Sequence, residues 1–269
     1  MQLIITGIAA SILYAAATVL QLRLALSGKA SGDSGALSVK LLGLLAVICH
    51  GLTNYQDFVK ADGIDLGVYP MLSLMALSIA AIVLLSSLRR PVDNLFIVIF
   101  PVALITVLLE VALQGDYTPA RDMTRGILSH IALSIAAYSL LTIAAVQALL
   151  LSFGDNRLRH HQVAILRSMP PLETMEQLMF EMLWIGLIFL TLSIGSGFVF
   201  LEDISGPGLI HHTVITTAAW IVFAILLWGR QQLGWRGAIA SRWVLAGFLL
   251  LALGYFGSKI VLEMVLHRA

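Results

Sequence analysis

Seven histidines give this chain its most reactive side chains, and their distribution is uneven. His160 and His161 fall in the basic stretch Asn156-Arg157-Leu158-Arg159-His160-His161, which reads as a solvated loop facing lipid headgroups. His50, His130, His211, His212 and His267 instead lie near the ends of long apolar runs. Imidazole ligates metals and haem iron when neutral and carries a proton near physiological pH. One histidine at a membrane boundary is ordinary, whereas several helices each delivering one to the same leaflet can assemble a ligand set.

The nearby polar residues suggest supporting roles. Tyr255, Lys259, Glu263 and His267 are spaced by four and would share one face of the last helix. A Lys259–Glu263 pair, with Glu263 one turn from His267, would then stand behind that ligand, since intramembrane charges face the protein interior in pairs. A purely structural ion pair is the other reading of the same spacing. His50 sits beside Cys49 inside an apolar run, where an interhelical hydrogen bond competes with a ligand role. His211 and His212 point about 100° apart on a helix, so at most one of them faces a shared site. Glu110 and Glu181 are intramembrane acids, suited to interhelical hydrogen bonding or to a proton or ion path.

These side chains must be positioned by membrane-spanning helices. Of 269 residues, 59% are hydrophobic and 12% charged, with a mean hydropathy of +0.95, against about 25% charged in soluble domains. Apolar runs at 2–25, 37–55, 66–88, 93–114, 126–153, 177–201, 210–229 and 242–266 predict eight spans. They are continuous rather than alternating, which excludes barrel strands. The expectation is an all-α, polytopic helical bundle in which 1–269 form a single transmembrane domain. A net charge of +1 offers no surplus for nucleic acid, and Cys49, the sole cysteine, excludes internal disulfides and CxxC chemistry. Pro101 is the one proline in the middle of a span.

The basic residues orient the bundle. Arg23, Lys29, Lys40, Arg89, Arg90, Arg157, Arg159, Arg167, Arg230, Arg236 and Arg242 fall on one side, leaving Lys60, Arg121, Arg125, Lys259 and Arg268 on the other. The positive-inside rule then puts both termini outside, periplasmic in a Gram-negative cell, and five of the seven histidines near the outer face. No basic residue precedes Arg23, so the first span is expected to remain attached and not to be cleaved as a signal peptide.

Several dispersed segments resemble one family. They are His130 through Ala137-Tyr138 to Gln147, Pro170-Pro171-Leu172-Glu173, His212-Thr213 leading to Trp220, Gly234-Trp235-Arg236-Gly237, and Tyr255-Phe256-Gly257 followed by His267. In order and spacing these are similar to the cytochrome c assembly protein family, which includes CcsA and CcmC, and most closely to its small eight-span HemX-like, YpjD-type members. The resemblance implies transmembrane haem handling in the bacterial inner membrane, with haem iron held axially by His130 and His267 at the outer face. It also implies a membrane partner in cytochrome c assembly. His212 and His50 remain further candidates for cofactor binding, with Tyr255, Lys259 and Glu263 behind them.

This chain departs from the larger relatives between the two axial positions. Their tryptophan-rich segment is replaced by Glu202-Asp203-Ile204-Ser205-Gly206-Pro207-Gly208, which contains no tryptophan. Without that aromatic surface or a thiol pair, the expected role is to hold or help move haem, not to join it to an apocytochrome. Two alternatives stay open: a structural or regulatory membrane subunit without haem, and an ion or metal transporter using Glu110, Glu181, Lys259 and Glu263.

Overall fold

The computed structural model describes residues 2–27, 33–60, 63–113, 123–159, 170–200 and 209–257. They form eight helices: α1 (Gln2–Leu26), α2 (Asp33–Phe58), α3 (Val68–Ser86), α4 (Phe96–Ala112), α5 (Arg125–Arg159), α6 (Leu172–Phe200), α7 (Leu209–Gln232) and α8 (Gly237–Ala252). A two-residue hairpin, Val59–Lys60 against Gly63–Ile64, follows α2, and a short 3-10 turn, Asp93–Leu95, leads into α4. All eight spans are long and apolar enough to cross a bilayer. The protein is therefore a multi-pass, all-α membrane protein.

The chain divides into two compact units, α1 to α4 and α5 to α8. In each unit the helices run up and down, and each packs on two neighbours. In the first, α1 touches α2 and α4, and α3 touches α2 and α4; in the second, α5 touches α6 and α8, and α7 touches α6 and α8. Each unit is thus a closed ring of four helices.

Side-chain exposure fits lipid rather than water. Large aliphatic residues such as Ile5, Leu41, Ile188 and Val214 lie on the surface, while Tyr14, Ser73, Glu110, Ser139 and Gln147 are buried. Soluble proteins do not expose apolar area on this scale, and intramembrane polar groups turn inward, away from lipid.

Helix bounds differ from the apolar runs for physical reasons. Helix α6 starts at Leu172, five residues before its hydrophobic run, because Pro170 and Pro171 end the preceding segment and Glu173 and Glu176 suit the positive end of the helix dipole. Helix α4 continues unbroken from Phe96 to Ala112 through Pro101. Helix α8 gives way at Leu253–Gly257 to a single π turn, a feature often found at functional sites. Between α7 and α8, Gly234 and Gly237 adopt φ of 67° and 56°, a left-handed conformation that disfavours other residues.

Glycines also set the close packing within each ring. A β-carbon at Gly247 on α8 would sit 2.6 Å from the ring of the fully buried Phe223 on α7. Small residues let membrane helices approach, and overpacking such contacts costs about 1–3 kcal/mol. Gly247→Ala is expected to lower the thermal midpoint in detergent, read from the loss of helical circular dichroism. An unchanged midpoint would show that Phe223 has room to move.

Candidate functional site

In the second unit, polar residues gather where α5 and α7 begin, α6 nears its end and α8 passes into its π turn. His130, one and a half turns into α5, directs Nδ1 to the backbone carbonyl of Ser193 on α6 at 2.9 Å and to Ser196 Oγ at 3.0 Å. Ser196 Oγ donates its own hydrogen to that same carbonyl at 2.8 Å. Both groups must therefore accept from His130, which fixes the proton of the neutral ring on Nδ1 and leaves the lone pair on Nε2. Ser134, one turn along α5, bonds Ser193 Oγ at 2.7 Å and the His130 carbonyl at 2.8 Å, so the ring and the helix pair are held together.

Three aromatic rings continue this region. His212, in the first turn of α7, meets Tyr255 edge-on with ring centroids 6.1 Å apart, and Tyr255 lies 5.5 Å from Tyr138 of α5. Tyr138 donates its hydroxyl to the carbonyl of Leu251 at 3.0 Å, tying α5 to α8 just before the π turn. Gly254 lets the π turn approach α7, since a β-carbon there would stand 3.2 Å from Ile215 Cγ2. Tyr138→Phe removes one buried hydrogen bond while keeping the ring; a loss of about 1 kcal/mol in unfolding free energy is expected.

The structure thus brings His130, His212 and Tyr255 into one end of the second unit. Lys259, Glu263 and His267 lie outside the described residues, as do His160 and His161; His211 contributes helical backbone to the first turn of α7. Among the described residues, no three His, Cys, Asp or Glu side chains converge as a metal-ion site. An axial haem pair needs only two.

His50 belongs to the first unit and is completely buried. Its Nδ1 meets Tyr14 Oη at 3.2 Å and its Nε2 meets Ser73 Oγ at 2.8 Å, so both ring nitrogens are engaged within the protein. Glu110, singled out as an intramembrane acid, accepts from Ser73 Oγ at 2.5 Å and from Asn54 Nδ2 at 3.4 Å, the interhelical bonding expected of it.

Sequence reasoning missed Ser134, Ser193 and Ser196 around His130, and Tyr14, Asn54 and Ser73 around His50. The small-residue run Ser193-Ile194-Gly195-Ser196 signals close helix packing but not which backbone carbonyl becomes an acceptor.

The opposite end of this unit carries charge. Glu176 on α6 accepts from Arg230 Nη1 at 2.7 Å and from Arg236 Nε at 3.2 Å, while the Arg230 guanidinium lies 4.5 Å over the Phe180 ring. Trp235 and Trp243 stack beside it at 5.2 Å.

The eight long apolar helices define a polytopic, all-α membrane protein. Residues 38–266 match the family model described as cytochrome C assembly protein, and the chain belongs to that family. It is 31% identical over 224 residues to "Inner membrane protein YpjD" of Escherichia coli K12, covering 82% of this chain and 85% of that protein. It is also 32% identical over 140 residues to an Azospirillum brasilense 28.8 kDa protein encoded in a nifR3-like 5' region, covering 51% of this chain and 52% of the relative. No solved structure matches.

Proposed function

We propose that this protein holds haem, or helps to move it, at the outer leaflet of the bacterial inner membrane during cytochrome c assembly, with His130 as one axial ligand. The observation that carries this reading is the fixed tautomer of His130. A ligating histidine commonly gives its other N–H to a backbone carbonyl, and here Ser193 O and Ser196 Oγ take the Nδ1 proton and leave Nε2 to donate to iron. His267 is the second axial ligand by family resemblance, and His212 is the alternative from the geometry. Bound haem would supply an iron that accepts two imidazole lone pairs. The protein's residues fix the His130 ring, and Tyr255 supplies an aromatic surface between His212 and Tyr138.

His50 is assigned to hydrogen bonding within the first unit and not to iron, because both of its nitrogens are already engaged. The basic residues are assigned to the cytoplasmic side and both termini to the periplasm, which puts the His130 end of the second unit outside. A transporter built on a helix broken at Pro101 finds no support, since α4 is continuous there. A membrane partner in cytochrome c assembly fits a protein that holds haem without the tryptophan-rich segment.

Purification from haem-replete cells tests the proposal. The expected result is a Soret band of low-spin, bis-imidazole type. Loss of low-spin character in His267→Ala but not in His212→Ala would identify His267 as the second ligand, and the reverse pattern would identify His212. Colourless protein would overturn haem binding.

A further inference from the structure

The first unit encloses a hydrogen-bonded chain to which every one of its four helices contributes. It runs from Tyr14 on α1 through His50 on α2 and Ser73 on α3 to Glu110 on α4, with Asn54 of α2 bridging the far end. All five residues are buried. Its polarity follows from simple valence. Asn54 Nδ2 reaches the His50 carbonyl at 3.3 Å, an acceptor only, which orients the amide so that its NH2 also serves Ser73 Oγ at 3.1 Å. With Glu110 ionised, Ser73 gives its one hydrogen to the carboxylate, so His50 Nε2 carries a proton and donates to Ser73. His50 Nδ1 then accepts from the Tyr14 hydroxyl. From Tyr14 through His50 to Ser73, each donor in the chain points toward one carboxylate.

Such an arrangement sets two effects against each other. Burial among apolar helices penalises a charged carboxylate, whereas the Ser73 hydroxyl, itself held by donors from His50 and Asn54, stabilises it. We propose that Glu110 is a single-proton binding site, with Tyr14, His50, Ser73 and Asn54 as positioning residues that make the ionised form tolerable inside the bilayer. The step is minimal: a hydronium ion gives its proton to the Glu110 carboxylate, one O–H bond forms, and water leaves.

Two further acids lie to one side of the site. Asp57 lies three residues beyond Asn54 in the last turn of α2, and Asp65 sits just before α3, accepting from the Gly67 amide at 2.8 Å. Asn54 Oδ1, buried and without a hydrogen-bond partner among the described residues, offers an acceptor for an incoming water on that side. In the other direction Tyr14 packs on Phe100 at 5.4 Å, and Phe100 stacks on Phe96 at 4.6 Å, with all three rings fully buried. The titratable and charged groups at this end of the surrounding elements are Tyr14 on α1; Cys49, His50, Tyr55 and Asp57 on α2; Lys60 after it; Asp65 and Tyr69 at the start of α3; and Glu110 on α4. The Lys40–Asp93 pair, 3.3 Å apart, belongs to the opposite end, beyond the phenylalanines. The geometry therefore describes a proton store loaded from one side, not a pathway across the membrane.

Infrared difference spectroscopy on the full-length protein in lipid, as pH is varied, tests this directly. The expected signal is a protonated-carboxyl C=O band that grows on acidification, disappears in Glu110→Gln, and moves to higher frequency in Ser73→Ala, where the carboxyl loses one hydrogen bond. Circular dichroism confirms that each variant folds. A carboxyl band unaffected by Glu110→Gln, or a Glu110 band invariant with pH, would overturn the proposal. In proteoliposomes holding a pH gradient, the wild type should leak protons no faster than Glu110→Gln. Faster leakage by the wild type would replace the one-sided store with a conducting path. Neither readout depends on whether the second unit binds haem.

Discussion

If His130 ligates haem as proposed, replacing it with glycine is expected to abolish the low-spin haem spectrum, and added imidazole is expected to restore it. The prediction is specific to ligation, because free imidazole can fill the space of the missing ring and donate to iron but cannot rebuild the link between α5 and α6. The supporting hydrogen bonds make a graded counterpart. Ser196→Ala removes one of the two acceptors of the Nδ1 proton and leaves the Ser193 carbonyl in place. Losing a group that orients a ligand typically costs about 10–100-fold in metal affinity, and with one acceptor retained the lower end, about 10-fold, is expected. Haem titration of protein from haem-depleted cells measures both effects. If Ser196→Ala matches the wild type while His130→Gly has lost binding, the carbonyl alone fixes the tautomer. If His130→Gly keeps the full low-spin spectrum, His130 is not a ligand.

The second large effect concerns stability at the other end of the same unit. Glu176→Ala removes the carboxylate that both Arg230 and Arg236 contact, leaving two guanidinium groups facing each other without it. Deleting one partner of a fully buried ion pair costs about 3–5 kcal/mol. The Glu176 side chain is only 9% exposed, but Arg230 is 28% exposed and Arg236 57%, so solvent screens part of the loss. A destabilisation of about 2–3 kcal/mol is expected, read as a lower denaturation midpoint in mixed micelles. Glu176→Gln keeps the acceptor but not the charge and should fall between. Arg230 retains its position over Phe180 in either variant, so the haem spectrum should survive wherever the protein folds. A spectrum lost together with Glu176, in folded protein, would mean that the two ends of the unit are coupled.

The spans were legible in the sequence because crossing a bilayer depends on summed local hydrophobicity. Eight apolar runs became eight helices, with ends displaced where the helix outlasts its apolar stretch, as at Leu172. The family was legible through dispersed motifs, and residues 38–266 match its model. Single polar residues at membrane positions were visible as well: His50, Glu110, His130, His212 and Tyr255 all stood out by type.

Their partners were not visible. Glu110 is 37 residues from Ser73 and 56 from Asn54, and no local pattern links an acid on α4 to a hydroxyl on α3 and an amide on α2. The main acceptor for His130 is a backbone carbonyl 63 residues away, which any residue type at that position would present. The π turn at Leu253–Gly257 departs from the 3.6-residue period, and no apolar pattern along the chain announces it. Sequence alone therefore determined the solvent, the number of crossings, the family and which side chains were chemically able to act. Which histidine keeps a lone pair for a ligand, and which has both nitrogens bound, was decided only by tertiary structure. Hydrophobicity is carried residue by residue along the chain, whereas a hydrogen bond needs two groups that only packing brings within 3 Å.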